Sequence, residues 1–255
     1  MESEEKLTGG NMSIVSRIGA TVRREAGPWT PQVQRLLAHL RAKGIHEVPE
    51  PLGFDGEGRE VLSFIPGTVG HGPLPEILRM DEVLVAAARL LRRMHDASED
   101  VAQSWSKDYW QAPTREPVEV ICHGDFAPYN CVFEEQGKLV GVIDFDHAHP
   151  GNRTWDLAYA LYRFVPMMAP SNPDSYGSLQ DQSRRAHLFC DAYGLQDRTQ
   201  LAEAIRLRIA AMANYLRQGA AKGDMRLIAN IEAGHLAIYD NDYAHFDVYS
   251  DQFLF

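Results

Sequence analysis

Two short runs rich in Val and Ile, residues 118–122 and 139–143, are separated by a polar loop that carries His123, Asp125 and Asn130. The second run stops directly at Asp144. Their length and β-branched content read as strands, and a third run, 131–133, leads into Glu134-Glu135-Gln136-Gly137, so 131–143 is expected to form a hairpin. The pattern constrains the chain strongly. Strands ending in this order bring a lone carboxylate, an amide and a second carboxylate to a single mouth.

The rest of the chain describes a globular protein around that mouth. Apolar residues make up 45% of it and charged residues 24%, ordinary values for a folded domain. No apolar run reaches membrane-spanning length, and the opening Met-Glu-Ser-Glu-Glu-Lys has neither the basic flank nor the apolar core of a signal peptide. A cytoplasmic location without a membrane partner is the expectation. A formal net charge of −10 argues against nucleic acid as a partner, since phosphate neutralisation needs clustered Lys and Arg, and suits a cationic small substrate. Cys122, Cys131 and Cys190 form no C-x-x-C pair and read as small core residues. Nothing in the pattern specifies an oligomeric state.

Along the chain, residues 12–18 and 21–25 around Gly19-Ala20 read as a first hairpin, and 51–54 and 60–65 around Asp55-Gly56-Glu57-Gly58 as a second. Between them, Val33, Leu36, Leu37 and Leu40 recur at helical spacing, with Thr30 as expected N-cap, Pro31 in the first turn and Gly44 as the stop. Pro66-Gly67 breaks the pattern and marks an expected boundary, giving one region over 1–66 and another over 67–255. A helix is predicted over 80–98 from the apolar face Val83, Leu84, Ala87, Leu90, Leu91 and Met94, and further helices over 154–164, 181–193, 198–220 and 225–240.

His123, Asp125 and Asn130 make H-x-D-x-x-x-x-N, the spacing of the catalytic loop of protein kinases, where the Asp accepts the substrate hydroxyl proton and the Asn binds magnesium. Asp144 follows at the end of another strand, where such enzymes place a second magnesium ligand. With His123-Gly124-Asp125-Phe126-Ala127-Pro128-Tyr129-Asn130, Ile143-Asp144-Phe145, and Pro150-Gly151 ahead of Asp156-Leu157-Ala158, the chain resembles the aminoglycoside phosphotransferase and choline kinase-like family. The resemblance runs to about residue 165 and implies an α+β, two-lobed protein-kinase-like fold, with a small β-rich N-lobe and a larger, mainly helical C-lobe. It implies Asp125 as the base, Asn130 and Asp144 as Mg²⁺ ligands, ATP or GTP as co-substrate, and a small acceptor such as an aminoglycoside or amino-alcohol. Asp156 would brace the catalytic loop, and His123 would pack under the metal strand. The hinge that meets the nucleotide base would be Ser63, Phe64 and Ile65.

The N-lobe departs from the family pattern. No Val-Ala-Ile-Lys is present, and Arg23 is the expected substitute for the phosphate-holding lysine, with Arg24 on the opposite face of its strand. The helix over 31–43 lacks the usual glutamate: Val33, Gln34 and Leu37 occupy the candidate face. The glycine loop is reduced to Gly9-Gly10-Asn11. These departures leave room for an alternative, a catalytically degenerate kinase-fold module that binds a ligand or confers immunity without turnover. His147 and His149 beside Asp144 and Asp146 raise a transition-metal reading, and Asp125, Asp144, Asp146 and His147 a metal-dependent phosphoesterase reading. Glu232, Asp240, Asp242, Asp247 and Asp251, in a segment without Lys or Arg, are either a pocket for substrate ammonium groups or a solvated acidic tail.

Overall fold

A computed structural model describes residues 4–7 and 15–253. Its N-terminal part is antiparallel: β1 (Glu4–Leu7), β2 (Val15–Ile18) and β3 (Thr21–Arg24) pair in succession, with Ile18 opposite Thr21 closing the turn at Gly19-Ala20. Strand β1 was not expected from the sequence, being short, charged and mostly exposed; Glu4 is held there by Arg59 at 2.8 Å and by Ser16. The glycine loop lies outside the described residues.

Helix α1 (Thr30–Ala42) buries Val33, Leu36, Leu37 and Leu40, as the spacing predicts. Its cap is Trp29 rather than Thr30, which is the first helical residue and accepts the Gly27 N–H at 2.9 Å. The second hairpin follows as β4 (Pro51–Phe54) and β5 (Glu60–Ser63), but β5 lies between β3 and β4 in the order β1-β2-β3-β5-β4. That insertion sets Arg24 directly opposite Glu60 across the β3–β5 pair.

β6 (Thr68–Val69) precedes α2 (Asp81–Trp105), which runs past the expected end at residue 98 because Ala102 and Trp105 continue its buried face. β7 (Val120–Cys122), β8 (Cys131–Phe133), β9 (Leu139–Val142) and β10 (His149–Gly151) follow. β8 and β9 form the predicted hairpin, β6 pairs with β8, and β10 pairs with β7. The remainder is helical: α3 (Arg153–Phe164), α4 (Leu179–Tyr193), α5 (Leu201–Ala221), α6 (Met225–Glu232) and α7 (His235–Tyr249). The single helix expected over 225–240 is interrupted at Gly234, whose φ of 90° ends one helix and starts another. Among the described residues no helix is long and apolar enough to cross a membrane.

The chain divides into two compact units. One holds the described residues up to Val69 together with Arg92–Arg153; the other holds Gly70–Leu91 and the described residues from Thr154 onward. This differs from a single cut after residue 66. Long-range pairing is the reason: β6 binds β8, and the Val142 N–H donates to the Glu47 carbonyl at 2.8 Å, tying the later hairpin to the N-terminal residues. In the second unit, α5 packs on α7, and Phe246 stacks on Phe253 with ring centres 5.5 Å apart.

Candidate active site

The residues expected to carry chemistry up to Asp146 fall within the first unit. β7 ends at Cys122, and the chain then turns through Gly124 at φ +80°. A Cβ at Gly124 would come within 2.2 Å of the His147 carbonyl oxygen, so only glycine allows this approach. His123 is buried between Phe126 and Phe145, at ring separations of 5.9 and 4.6 Å. Its Nδ1 accepts the Asp125 N–H at 3.3 Å, which assigns the proton to Nε2, and Nε2 donates to the Ile143 carbonyl at 3.1 Å. The ring thus locks the Asp125 loop to the end of β9.

Asp125 has both carboxylate oxygens engaged. The Tyr129 hydroxyl donates to Oδ1 at 2.6 Å, and Asn130 Nδ2 donates to Oδ2 at 2.8 Å and to the Asp125 carbonyl at 3.0 Å. The Asn130 amide nitrogen is therefore committed, and its Oδ1, the group a cation would use, accepts no hydrogen bond among the described residues. Backbone pairing carries the next element alongside: the Ile143 N–H donates to the Asn130 carbonyl at 2.8 Å, one residue before Asp144. Asp144 itself is left-handed, at φ 64° and ψ 68°, a conformation costly for a residue with a Cβ and typical of functional turns. Its side chain is 48% exposed.

The arginine that faces these carboxylates is Arg24, not Arg23. Arg24 Nη1 donates to Asp144 at 3.2 Å and Nη2 to Asp146 at 2.8 Å, while Nε pairs with the fully buried Glu60. Arg23 points the other way, toward Thr21 and, at 3.8 Å, Asp55. Strand alternation separates the two residues as expected, but the assignment of faces is reversed: Arg24 shares its face with Val22, the apolar residue of the strand. Burial alone would lower the Arg24 pKa, and the charges of Asp146, Glu60 and Asp144 outweigh it and hold the guanidinium above its ordinary value. Burial, together with the neighbouring Asp144 charge, pushes the Asp146 carboxyl up against the pull of Arg24.

At the expected hinge, the Ser63 N–H is spent on the Glu50 carbonyl at 3.0 Å and the Phe64 N–H on the Ala20 carbonyl at 2.8 Å. The Ser63 hydroxyl accepts the Glu50 N–H at 2.8 Å, and Arg17 lies over the Phe64 ring at 4.0 Å. Pro66 has no N–H, so Ile65 carries the hinge amide left uncommitted among the described residues.

The donor set suits magnesium. Among the described residues no group of three or more His, Cys, Asp or Glu side chains is placed to hold a metal ion. Asp144 and the Asn130 amide oxygen are hard oxygen donors of the kind that would hold Mg²⁺. His149 is turned to the His147 carbonyl, 2.8 Å from its Nδ1.

In the second unit the acidic residues near the C-terminus are largely engaged. Arg217 holds Asp240 at 2.6 Å, and Arg206 holds Asp247 at 2.8 Å. Asp242 is fully buried and accepts from the Tyr162 hydroxyl, the Ala169 N–H and Asn172 at 2.5, 2.8 and 2.7 Å. The cations come from α5, earlier in the sequence than the acidic segment. Asp156 is fully buried in α3.

Sequence reading gave no site role to Arg24, Glu60, Gln34 or Tyr129. The Val22 alternation was a usable signal for Arg24; the other three depend on which strands and turns become neighbours.

The profile of the phosphotransferase enzyme family matches residues 20–110 and 98–204. The chain is 36% identical over 203 residues to the trifolitoxin immunity protein of Rhizobium leguminosarum bv. trifolii, a match covering 76% of each sequence. Among solved structures, amicoumacin kinase hAmiN in complex with AMP-PNP, Ca²⁺ and Ami is similar at a TM-score of 0.65 and 14% identity, covering 96% of this chain and 88% of that one. The ethanolamine kinase of Plasmodium vivax follows at 0.61 and 14%, covering 94% and 84%. At these identities the two structures establish the fold: an N-terminal antiparallel sheet followed by a mainly helical region, the α+β kinase-like arrangement.

Proposed function

Because this chain belongs to the phosphotransferase enzyme family, we propose that it transfers the γ-phosphate of ATP or GTP to a hydroxyl of a small acceptor, with amino-sugars and amino-alcohols as the leading classes. The observation that carries the reading is the held carboxylate. Asp125, fixed through both oxygens by Tyr129 and Asn130, sits in the same unit as Asp144 and the buried cation Arg24. A base, oxygen ligands for a metal and a phosphate-gripping cation are the parts phosphoryl transfer uses.

In this reading Asp125 aligns the acceptor hydroxyl and takes its proton as attack begins. Tyr129 and Asn130 keep its carboxylate in one orientation, so little reorganisation is needed at that moment. Mg²⁺, held by Asn130 Oδ1 and Asp144, would neutralise charge on the transferred group. Arg24 would turn its two Nη groups from Asp144 and Asp146 toward phosphate oxygens once a metal takes up those carboxylates, the role assigned to Arg23 on sequence alone. The Ile65 N–H and the neighbouring hinge carbonyls meet the nucleotide base. Asp240, Asp242 and Asp247 already have partners, so they form no ready ammonium pocket within the second unit. The cytoplasm, where nucleoside triphosphates are available, is the proposed compartment.

One observation favours a second reading. The 36% identical relative is an immunity protein by name, and such a module would sequester its ligand without turnover. A screen of Mg·ATP and Mg·GTP consumption over aminoglycosides, amines and sugars, with Asp125→Ala as the blank, separates the two. Acceptor-dependent consumption that vanishes in the blank supports the transferase. Ligand binding that survives in Asp125→Ala, with no consumption in either protein, supports the module.

A further inference from the structure

The fold family's usual counter-ion for the phosphate-binding cation, a glutamate on the first helix, is missing from α1, and the structure contains a buried carboxylate at a different place. Glu60 opens β5 with no solvent exposure and is the direct cross-strand partner of Arg24, 36 residues away in sequence. It engages only Nε of the guanidinium. The two Nη groups are left for Asp144 and Asp146, whose side chains are 48% and 24% exposed. Arg24 therefore has one end tied inside the sheet by Glu60 and a two-pronged end paired with carboxylates that solvent and ligands can reach.

Helix α1 still takes part, without a charge. Gln34 Nε2 donates to Glu60 Oε1 at 2.7 Å, and Gln34 Oε1 accepts the Gly53 N–H of β4 at 3.1 Å. The amide connects helix and sheet and fills the second oxygen of Glu60. Each oxygen of the buried carboxylate then has one partner, which a charge at this depth requires.

We propose that the counter-ion of the phosphate-gripping cation has moved from the helix to strand β5, so that Glu60 is the positioning residue for Arg24 and Gln34 the brace for Glu60. The inference rests on the phosphotransferase reading and specifies how its cation is aimed. It also accounts for arginine at position 24. With the counter-ion in the neighbouring strand, the side chain must bind backwards through Nε and forwards through both Nη, which a single ammonium cannot do.

The test measures binding of Mg·AMP-PNP and of adenosine by equilibrium titration, with thermal unfolding as a check on folding. Glu60→Gln keeps the shape and removes the charge; it is expected to weaken Mg·AMP-PNP at least tenfold and adenosine by less than twofold. The double variant Glu60→Gln with Gln34→Glu returns the carboxylate to α1 while keeping donors and acceptors matched. The carboxylate introduced on the helix can accept from the Gly53 N–H and from the amide introduced on β5, and most of the lost affinity should return. Should Glu60→Gln fail to fold, Gln34→Ala removes only the brace and should weaken Mg·AMP-PNP a few-fold with adenosine unaffected. Equal losses for both ligands, or wild-type affinity for Mg·AMP-PNP in Glu60→Gln, overturn the inference and leave the transferase reading standing. Absence of metal-dependent nucleotide binding in the unmodified chain overturns both.

Discussion

Tyr129 donates its phenolic hydroxyl to Oδ1 of Asp125 at 2.6 Å, four residues back along the same loop. The 3-10 turn Pro128–Asn130 makes that contact, because it folds the chain back after Ala127 and brings residues 129 and 130 over the carboxylate. If Asp125 is the base, Asp125→Ala should lower turnover by about 10²–10⁴-fold. Tyr129→Phe, which removes one hydrogen bond to a charged acceptor worth about 1.5–3 kcal/mol, should lower kcat by roughly tenfold or more while leaving nucleotide affinity unchanged. Steady-state kinetics on the acceptor found by the screen, paired with a nucleotide titration, checks both. Unchanged kcat in Tyr129→Phe would show that the loop holds Asp125 without the phenol.

Arg24→Lys restores the residue type usual in the family and should still damage the protein. One ammonium cannot replace the pair to Glu60 together with those to Asp144 and Asp146. Mg·nucleotide affinity is expected to fall by tenfold or more. Arg24→Ala should in addition cost about 3–5 kcal/mol of stability, because it leaves Glu60 as an uncompensated buried charge. Urea unfolding at neutral pH reads the second effect, and a loss below about 1 kcal/mol would mean that Glu60 does not depend on Arg24 as its partner.

Burial raises the Asp242 carboxyl above its ordinary value, against the hydrogen bonds of Tyr162, the Ala169 N–H and Asn172. A carboxyl shifted in this direction contributes stability that is present below its unfolded pKa of roughly 4 and is lost as pH rises through the raised folded value. Asp242→Asn removes the titration and turns an amide N–H₂ toward groups that donate, so it should destabilise by about 1–3 kcal/mol near pH 4. The gap to wild type should narrow toward pH 7. Denaturant unfolding across that range is the measurement, and a gap that widens with pH would contradict the shift.

All three cysteines are buried and free. Burial pushes the Cys190 thiol up to about 12 and raises the Cys131 thiol as well. At pH 8 Cys190 would be thiolate in only about one molecule in 10⁴. Native protein should therefore be inert to a thiol-disulfide reagent at pH 8, and all three should react in denaturant. Rapid reaction of Cys122 or Cys131 in the native state would show that the strands flanking the catalytic loop open to solvent.

Elements whose cause is local could be read from the chain. The face of α1, the 131–143 hairpin and the H-x-D-x-x-x-x-N loop each depend on residues within one or two turns of one another, where periodicity and turn chemistry act directly. The grouping of Asn130 with Asp144 was also readable, because hairpin register puts Ile143 against Asn130. The extension of α2, the break at Gly234 and the charged strand β1 were not readable, since each is decided by packing or by an ion pair to a distant residue.

The sequence by itself determined the fold class and the strand-loop-strand delivery of Asp125, Asn130 and Asp144. Only the tertiary structure decided which of the two arginines faces Asp144 and Asp146, because adjacent residues of a strand differ in the face they present. The β3–β5 register then puts Glu60 on that same face, directly opposite Arg24. Gln34 is left as a neutral brace. It also took the C-terminal fold to show that Asp240 and Asp247 were matched to arginines of α5, since charges far apart in sequence acquire partners only when helices pack.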